Sequence, residues 1–248
     1  LIREHLDNLA AERVDGLMLS WSLGGYPGGN LQYLSHLPEE AAKVFGETAA
    51  PLIEAAWKAF GEAFRHFPFH VHTIYFGPMN FGPMNLFHAE PTGYQATMIG
   101  FPYDDLTRWR SIYPEDVFEK QFRLLSDGWE KGLELLAKAG ADIPPECMES
   151  FEDLRNVSVA AGCHFRSTCN QIRFVRRRGG RDEQSLRELL DILDDEIALT
   201  LTLHEIVRRD SRIGYEACNH YYYSLNDLRE KLLNCETVRE NIRAIRQP

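Results

Sequence analysis

The chain has 248 residues, 26% of them charged and 44% hydrophobic, with a formal net charge of −10, which is the composition of a globular protein with room for one large core or two smaller ones. That acidic balance, without a lysine-rich run, argues against nucleic acid or an anionic membrane as the main partner, and no apolar run approaches the ~20 residues of a membrane span. Cys147, Cys163, Cys169, Cys218 and Cys235 are odd in number and form no C-x-x-C pair, so they read as buried free thiols suited to a reducing, cytoplasmic setting, neither a disulfide frame nor a zinc site.

In chain order, Leu1, Ile2, His5, Leu6 and Leu9 give residues 1–13 the pattern of an amphipathic helix. "VDGLMLSWS" (14–22) follows with the continuous apolar character of a buried strand, and "LGGYPGGN" (23–30) is a loop. Together they make one αβ unit. A parallel strand needs neighbours on both edges for its backbone groups, and no second strand of this kind follows. The expectation is that its partners, and any export signal, precede Leu1. Side chains at the end of such a strand and on its loop, Trp21, Tyr26 and Asn30, would form a stacking wall; a core role for Trp21 is the alternative.

Downstream the pattern turns helical. "APLIEAAWKAFGEAFRHF" aligns Ile53, Trp57, Phe60, Phe64 and Phe67 in one stripe. Residues 68–113 read as a long irregular stretch, rich in Pro, Gly and aromatics, with "FGPMN" written twice in succession at 76–85. Pro114 starts a helix with Phe118, Phe122, Leu125, Trp129, Leu133 and Leu136 inward, closed by Gly140. Further helices are expected from about Pro145 to Arg178, broken by Gly179-Gly180, then over 182–209 and 225–246. These last four can bury one another as an antiparallel bundle. Ser158, Ala160, Ala161 and Gly162 would let the longest approach a neighbour closely. The organisation predicted is a terminal αβ unit over 1–36, a helix with its long loop over 37–113, and a helical bundle over 114–248.

An irregular stretch of that length inside a domain usually carries function. Asn80, Asn85, Tyr103, Trp109 and Arg110 place amides, rings and a guanidinium there, the groups a sugar cleft uses for stacking and for bidentate hydrogen bonds. The alternative is that the rings are core and the polar groups serve the loop's own backbone. Asp104 and Asp105 are adjacent candidate carboxylates, although Asp104 also suits an Asx turn. His70-x-His72 would offer two imidazoles from one strand face, but no third ligand stands at a recognisable spacing, so no metal and no cofactor is assigned. In "DSRIGYEACNHYYYS" (210–224), Glu216 and His220 share a helical face if the turn is helical. They read as an acid–base pair or, in the more conservative view, as a network pinning a helix to its neighbour.

"VDGLMLSWSLGGYPGGNL", "FPF…YFGPMNFGPMNL", "PTGYQATMIGFPYDDLTRWRSIYP" and "DSRIGYEACNHYYYS" together resemble the C-terminal part of large bacterial proteins of glycoside-hydrolase type, in which a (β/α)8 barrel precedes a helical domain. The resemblance spans most of the chain. It implies a mainly α fold, with residues 1–36 as the last helix–strand unit of a truncated barrel and Trp21 at its sugar-facing rim. It also implies a carbohydrate substrate, with catalytic carboxylates on earlier strands in the missing barrel portion of the same protein. A helical binding or scaffold module without chemistry is the alternative, and self-association remains open under both.

Overall fold

A computed structural model describes residues 2–14, 41–78, 82–95, 104–213 and 224–246. It is mainly helical, and no strand occurs among the described residues. The helices are α1 (Ile2–Ala11), α2 (Ala41–Phe45), α3 (Ala50–Phe64), α4 (Val71–Tyr75), α5 (Leu106–Arg110), α6 (Glu115–Ala139), α7 (Met148–Arg177), α8 (Glu183–Arg209) and α9 (Leu225–Arg246). The strand expected after residue 14 lies outside the described residues, as do Trp21, Tyr26, Asn30, Asn80, Tyr103, Glu216, Cys218 and His220. No described helix is long and apolar enough to cross a membrane.

The long helices pack in series, α3 on α6, α6 on α7, α7 on α8 and α8 on α9, each pair antiparallel. Cross-links show the direction. Glu119 near the start of α6 binds Arg176 and Arg177 at the end of α7, while Trp129 further along α6 donates from Nε1 to the Ser158 carbonyl at 2.9 Å. Likewise Arg166 pairs with Asp195 and Arg177 with Glu188 across α7 and α8. Burial alone would raise the Glu119 carboxyl, but hydrogen bonds and charge from Arg177 and then Arg176 outweigh it and hold its pKa below the ordinary value.

The stripes expected from the sequence face inward. Ile53 and Phe60 of α3 meet Leu136 and Ala139 of α6 in one cluster. Phe118, Phe122 and Leu125 of α6 meet Phe165, Cys169 and Ile172 of α7 in the next. Trp129 joins the two, stacked on Phe60 at 4.3 Å between centroids and edge-on to Phe165 at 5.0 Å. The close approach predicted at Gly162 is present: a Cβ there would stand 3.1 Å from both Leu133 and Trp129. Two further clusters seal α7 to α8 and α9, one around Phe174, Leu189, Leu193 and Cys235, the other around Ala160, Leu203 and Leu228. Burial pushes the Cys163, Cys169 and Cys235 thiols up to about 12, so they are inert packing groups.

Two local expectations need correction. The stretch 68–113 is less irregular than its composition suggests, because α4 and α5 form within it. Both helices have five residues, too short to show an apolar period, and each is set by its cap: His70 accepts from the His72 N–H, and Asp105 from the Arg108 N–H. His72 therefore lies on a helix, not on a strand face beside His70. The second Gly-Pro pair also forms a helical turn, a single 3-10 turn over Gly82–Met84. Proline is tolerated so early in a turn because its missing N–H would have no partner there.

Phe122 has no exposed surface and meets Phe118 edge-on at 5.1 Å and Phe67 at 5.9 Å. Phe122→Ala is predicted to cost ~3–5 kcal/mol in chemical denaturation; a cost below ~1 kcal/mol would show that α6 does not pack through this stripe.

Candidate functional site

Residues 82–95 lie against α7 and α9 with only one turn of regular structure, yet their backbone is held at successive points by side chains of the bundle. Gln171 donates from Nε2 to the Gly82 carbonyl at 2.9 Å, and its Oε1 accepts from Asn85 Nδ2 at 2.6 Å. The Lys231 ammonium donates to the Asn85 carbonyl. Asn234 grips Phe87 twice, accepting from its N–H at 2.8 Å and donating to its carbonyl at 3.0 Å. Arg178 donates to the His88 carbonyl at 3.0 Å. Gly82 adopts φ +54, and a Cβ there would enter the His164 ring, so the turn needs glycine on both counts.

Below this loop lies a buried polar network on α7, α8 and α9. Lys231 and Glu196 pair at 3.0 Å with both side chains wholly buried. Glu196 also accepts from Ser167 Oγ at 2.5 Å and Asn170 Nδ2 at 3.0 Å, and Gln171 donates to Ser167 Oγ at 2.9 Å. The third face of the ammonium looks onto the Phe87 ring, 4.2 Å from its centroid. In "LREKLLNC" (228–235) Lys231 stands three residues after Leu228 and four before Cys235, on the face that both of them bury. The polar set Ser167, Asn170 and Gln171, lying among Phe165, Cys169 and Ile172, is the matching signal on α7.

The loop's far end is fixed at Asp104, which accepts from the Thr92 N–H at 2.9 Å, from the Thr92 hydroxyl, and from Arg178 at 2.5 Å. Burial alone would raise this carboxyl, but the bonds from Thr92 and then Arg178 prevail and hold its pKa below the ordinary 3.8. Burial is also the largest influence on His88, whose pKa falls despite the opposing charge of Asp104. Asp104 is thus a fixed anion within the scaffold and is unsuited to donating a proton. Asp105 caps α5 through its bond from the Arg108 N–H at 3.2 Å.

Three of the sugar-binding candidates, Asn85, Trp109 and Arg110, fall among the described residues. Asn85 is 4% exposed and Trp109 is 1% exposed, in the core with Leu106 and Phe118, so neither presents a face to a ligand. Arg110 donates to the Tyr113 carbonyl at 2.9 Å and pairs with Glu115 at 3.7 Å. The residues that do line an open cleft, of about 450 Å³, are His72, Gln95, Asp105, Thr107, Arg108, Ser111 and Ile112. Of these, only Asp105 and His72 were marked by sequence reasoning. Arg108 lies with its guanidinium carbon 4.8 Å from the centroid of Phe76, the first residue of the doubled motif. No group of three or more His, Cys, Asp or Glu able to hold a metal occurs among the described residues. Compared with protein-family models, curated proteins and solved structures, the chain matches none, and the site is read from its own chemistry.

The sign of the Asp104 shift gives a prediction. A carboxyl whose folded pKa is depressed adds stability that is fully present above its unfolded value near 3.8 and is lost as pH falls through the folded value. Asp104→Asn should cost ~1–3 kcal/mol at neutral pH, and the gap from wild type in urea unfolding should narrow once pH drops below ~4. A gap that stays constant or widens on acidification would contradict the assignment.

Proposed function

We propose that this chain is the C-terminal part of a carbohydrate-active hydrolase, with the helices serving as a scaffold that holds loop segments as substrate-binding walls and the catalytic carboxylates lying elsewhere in the protein. The observation that carries the reading is the grip on residues 82–95 and on Asp104. Backbone with little regular structure is fastened by Gln171, Lys231, Asn234 and Arg178, the construction expected of a binding loop positioned by a rigid frame. The cleft beside it combines donors, acceptors and an exposed apolar side chain, a lining suited to a polyhydroxylated ligand. In this reading residues 1–36 belong to a (β/α)8 barrel and Trp21, Tyr26 and Asn30 face the same substrate.

The second reading, a helical binding module with no chemistry of its own, is favoured by one observation: Asp104 and Asp105 are both engaged in holding the fold. The two readings part on the upstream sequence and on turnover. Under the first, the reading frame before Leu1 encodes further strand–helix units with carboxylates ending a middle strand, and the full-length protein cleaves a glycosidic bond. A start codon at Leu1, or a full-length protein that binds glycans without cleaving them, would favour the module.

Trp21→Ala in the full-length protein is predicted to weaken glycan affinity by about tenfold with helical unfolding unchanged. Unaltered affinity in a glycan titration would remove Trp21 from the binding wall.

A further inference from the structure

We infer that the cleft at the α4–α5 corner is a subsite for the carboxylate of an acidic sugar, a uronate, with Arg108 as its charge partner and Ser111 as its hydroxyl donor. The inference rests on the carbohydrate reading above and adds the class of sugar.

The two arginines of "RWR" (108–110) differ in what they do. Arg110 is engaged by Glu115 and the Tyr113 carbonyl. Arg108 makes no ion pair among the described residues; its guanidinium is steadied over the Phe76 ring at 4.8 Å and lines the cleft. A planar guanidinium resting on an aromatic face keeps its in-plane N–H groups available, and their fork matches the two oxygens of a carboxylate.

Ser111 supplies the second donor. Its backbone has φ 49 and ψ −118, a region that costs a residue with a Cβ roughly 1–3 kcal/mol and that is retained mostly where function requires it. Its hydroxyl lies 3.3 Å from His70 Nε2. The other ring nitrogen of His70 accepts from the His72 N–H at 3.1 Å, so the neutral ring carries its proton on Nε2 and donates it to Ser111 Oγ. Two consequences follow. His70 in this tautomer is no base for Ser111, so the pair is not a nucleophilic dyad. The serine, having accepted one hydrogen bond, has its own proton to donate into the cleft.

The remaining lining fits the rest of a sugar ring. The Gln95 amide and the Thr107 hydroxyl are types of group suited to ring hydroxyls, and Ile112, 75% exposed, offers an apolar surface for a C–H face. Phe76 and Asn85 show that the doubled "FGPMN" does two jobs. The first copy supports Arg108 at the cleft, while the second docks the loop into the bundle.

The test is calorimetric titration of this protein with methyl β-D-glucuronide and with methyl β-D-glucoside, which differ only in carboxylate against hydroxymethyl. The glucuronide should bind about tenfold tighter or more. Arg108→Gln should bring the two ligands to equal affinity, while Arg110→Gln leaves the preference intact. Ser111→Gly should raise Tm, since glycine adopts a positive φ freely, and weaken glucuronide binding severalfold. Equal affinity of the wild-type protein for both ligands, or a glucuronide preference that survives Arg108→Gln, would overturn the uronate subsite and leave the carbohydrate reading standing. Failure of both glycosides and of longer neutral oligosaccharides to bind would overturn the two together.

Discussion

Lys231 is an ammonium group with no exposed surface, and much of the site depends on how that charge is accommodated. A cation removed from water is tolerated only where its donors are all matched and a counter-charge is close. Here the three directions are taken by Glu196 of α8, the Asn85 carbonyl and the face of Phe87. The first belongs to the bundle and the other two to the loop. The same buried charge therefore ties α9 to α8 and draws the loop onto both. Glu196 reaches α7 through Ser167 and Asn170, so three long helices and the loop share one polar centre inside an otherwise apolar frame.

The site inherits its rigidity from that arrangement. Gln171 bridges the network to the loop at Gly82 and Asn85, Asn234 repeats the grip at Phe87, and Arg178 carries it on to His88 and Asp104. From Asp104 it is one residue to Asp105, the cap of α5, and α5 carries Arg108 to the cleft with Trp109 anchored in the core on its other side. The polar groups on this path serve two distinct purposes. Those with buried partners fix backbone position. Those at the cleft, Arg108 and Ser111, are held by a ring and by a histidine whose tautomer is itself fixed by backbone, which orients them without neutralising them.

The long helices were legible in the sequence because each is amphipathic over several turns. Phe118, Phe122 and Leu125 recur at helical spacing and are buried as that spacing requires. The short helices were not, since α4 and α5 are defined by one capping side chain each and lie among prolines and glycines. The composition of residues 68–113 marks a region, but it does not show which of its side chains are buried. Trp109 and Asn85 have the chemistry of sugar ligands, but residue type cannot distinguish a ring that stacks on substrate from one that fills the core. Arg108 and Arg110 are alike in sequence and are distinguished by their partners, Glu115 and the Tyr113 carbonyl for Arg110 and the Phe76 ring for Arg108. The positive φ of Ser111 has no sequence signature, because serine does not ordinarily mark that conformation.

The most direct measurement is amide hydrogen exchange across residues 82–92 in the double variant Glu196→Gln/Lys231→Met. The pair of changes removes both buried charges, keeps one acceptor oxygen, for Ser167, leaves Asn170 its bond to Asp195, and leaves the helices able to pack, while the Asn85 carbonyl loses its donor. If Lys231 is what couples the bundle to the loop, exchange at Asn85 and Phe87 should accelerate by one to two orders of magnitude while the amides of α6 and α7 keep wild-type protection. Loop amides as protected as in the wild-type protein would contradict the account and place the loop's order in its own turn and in Asn234.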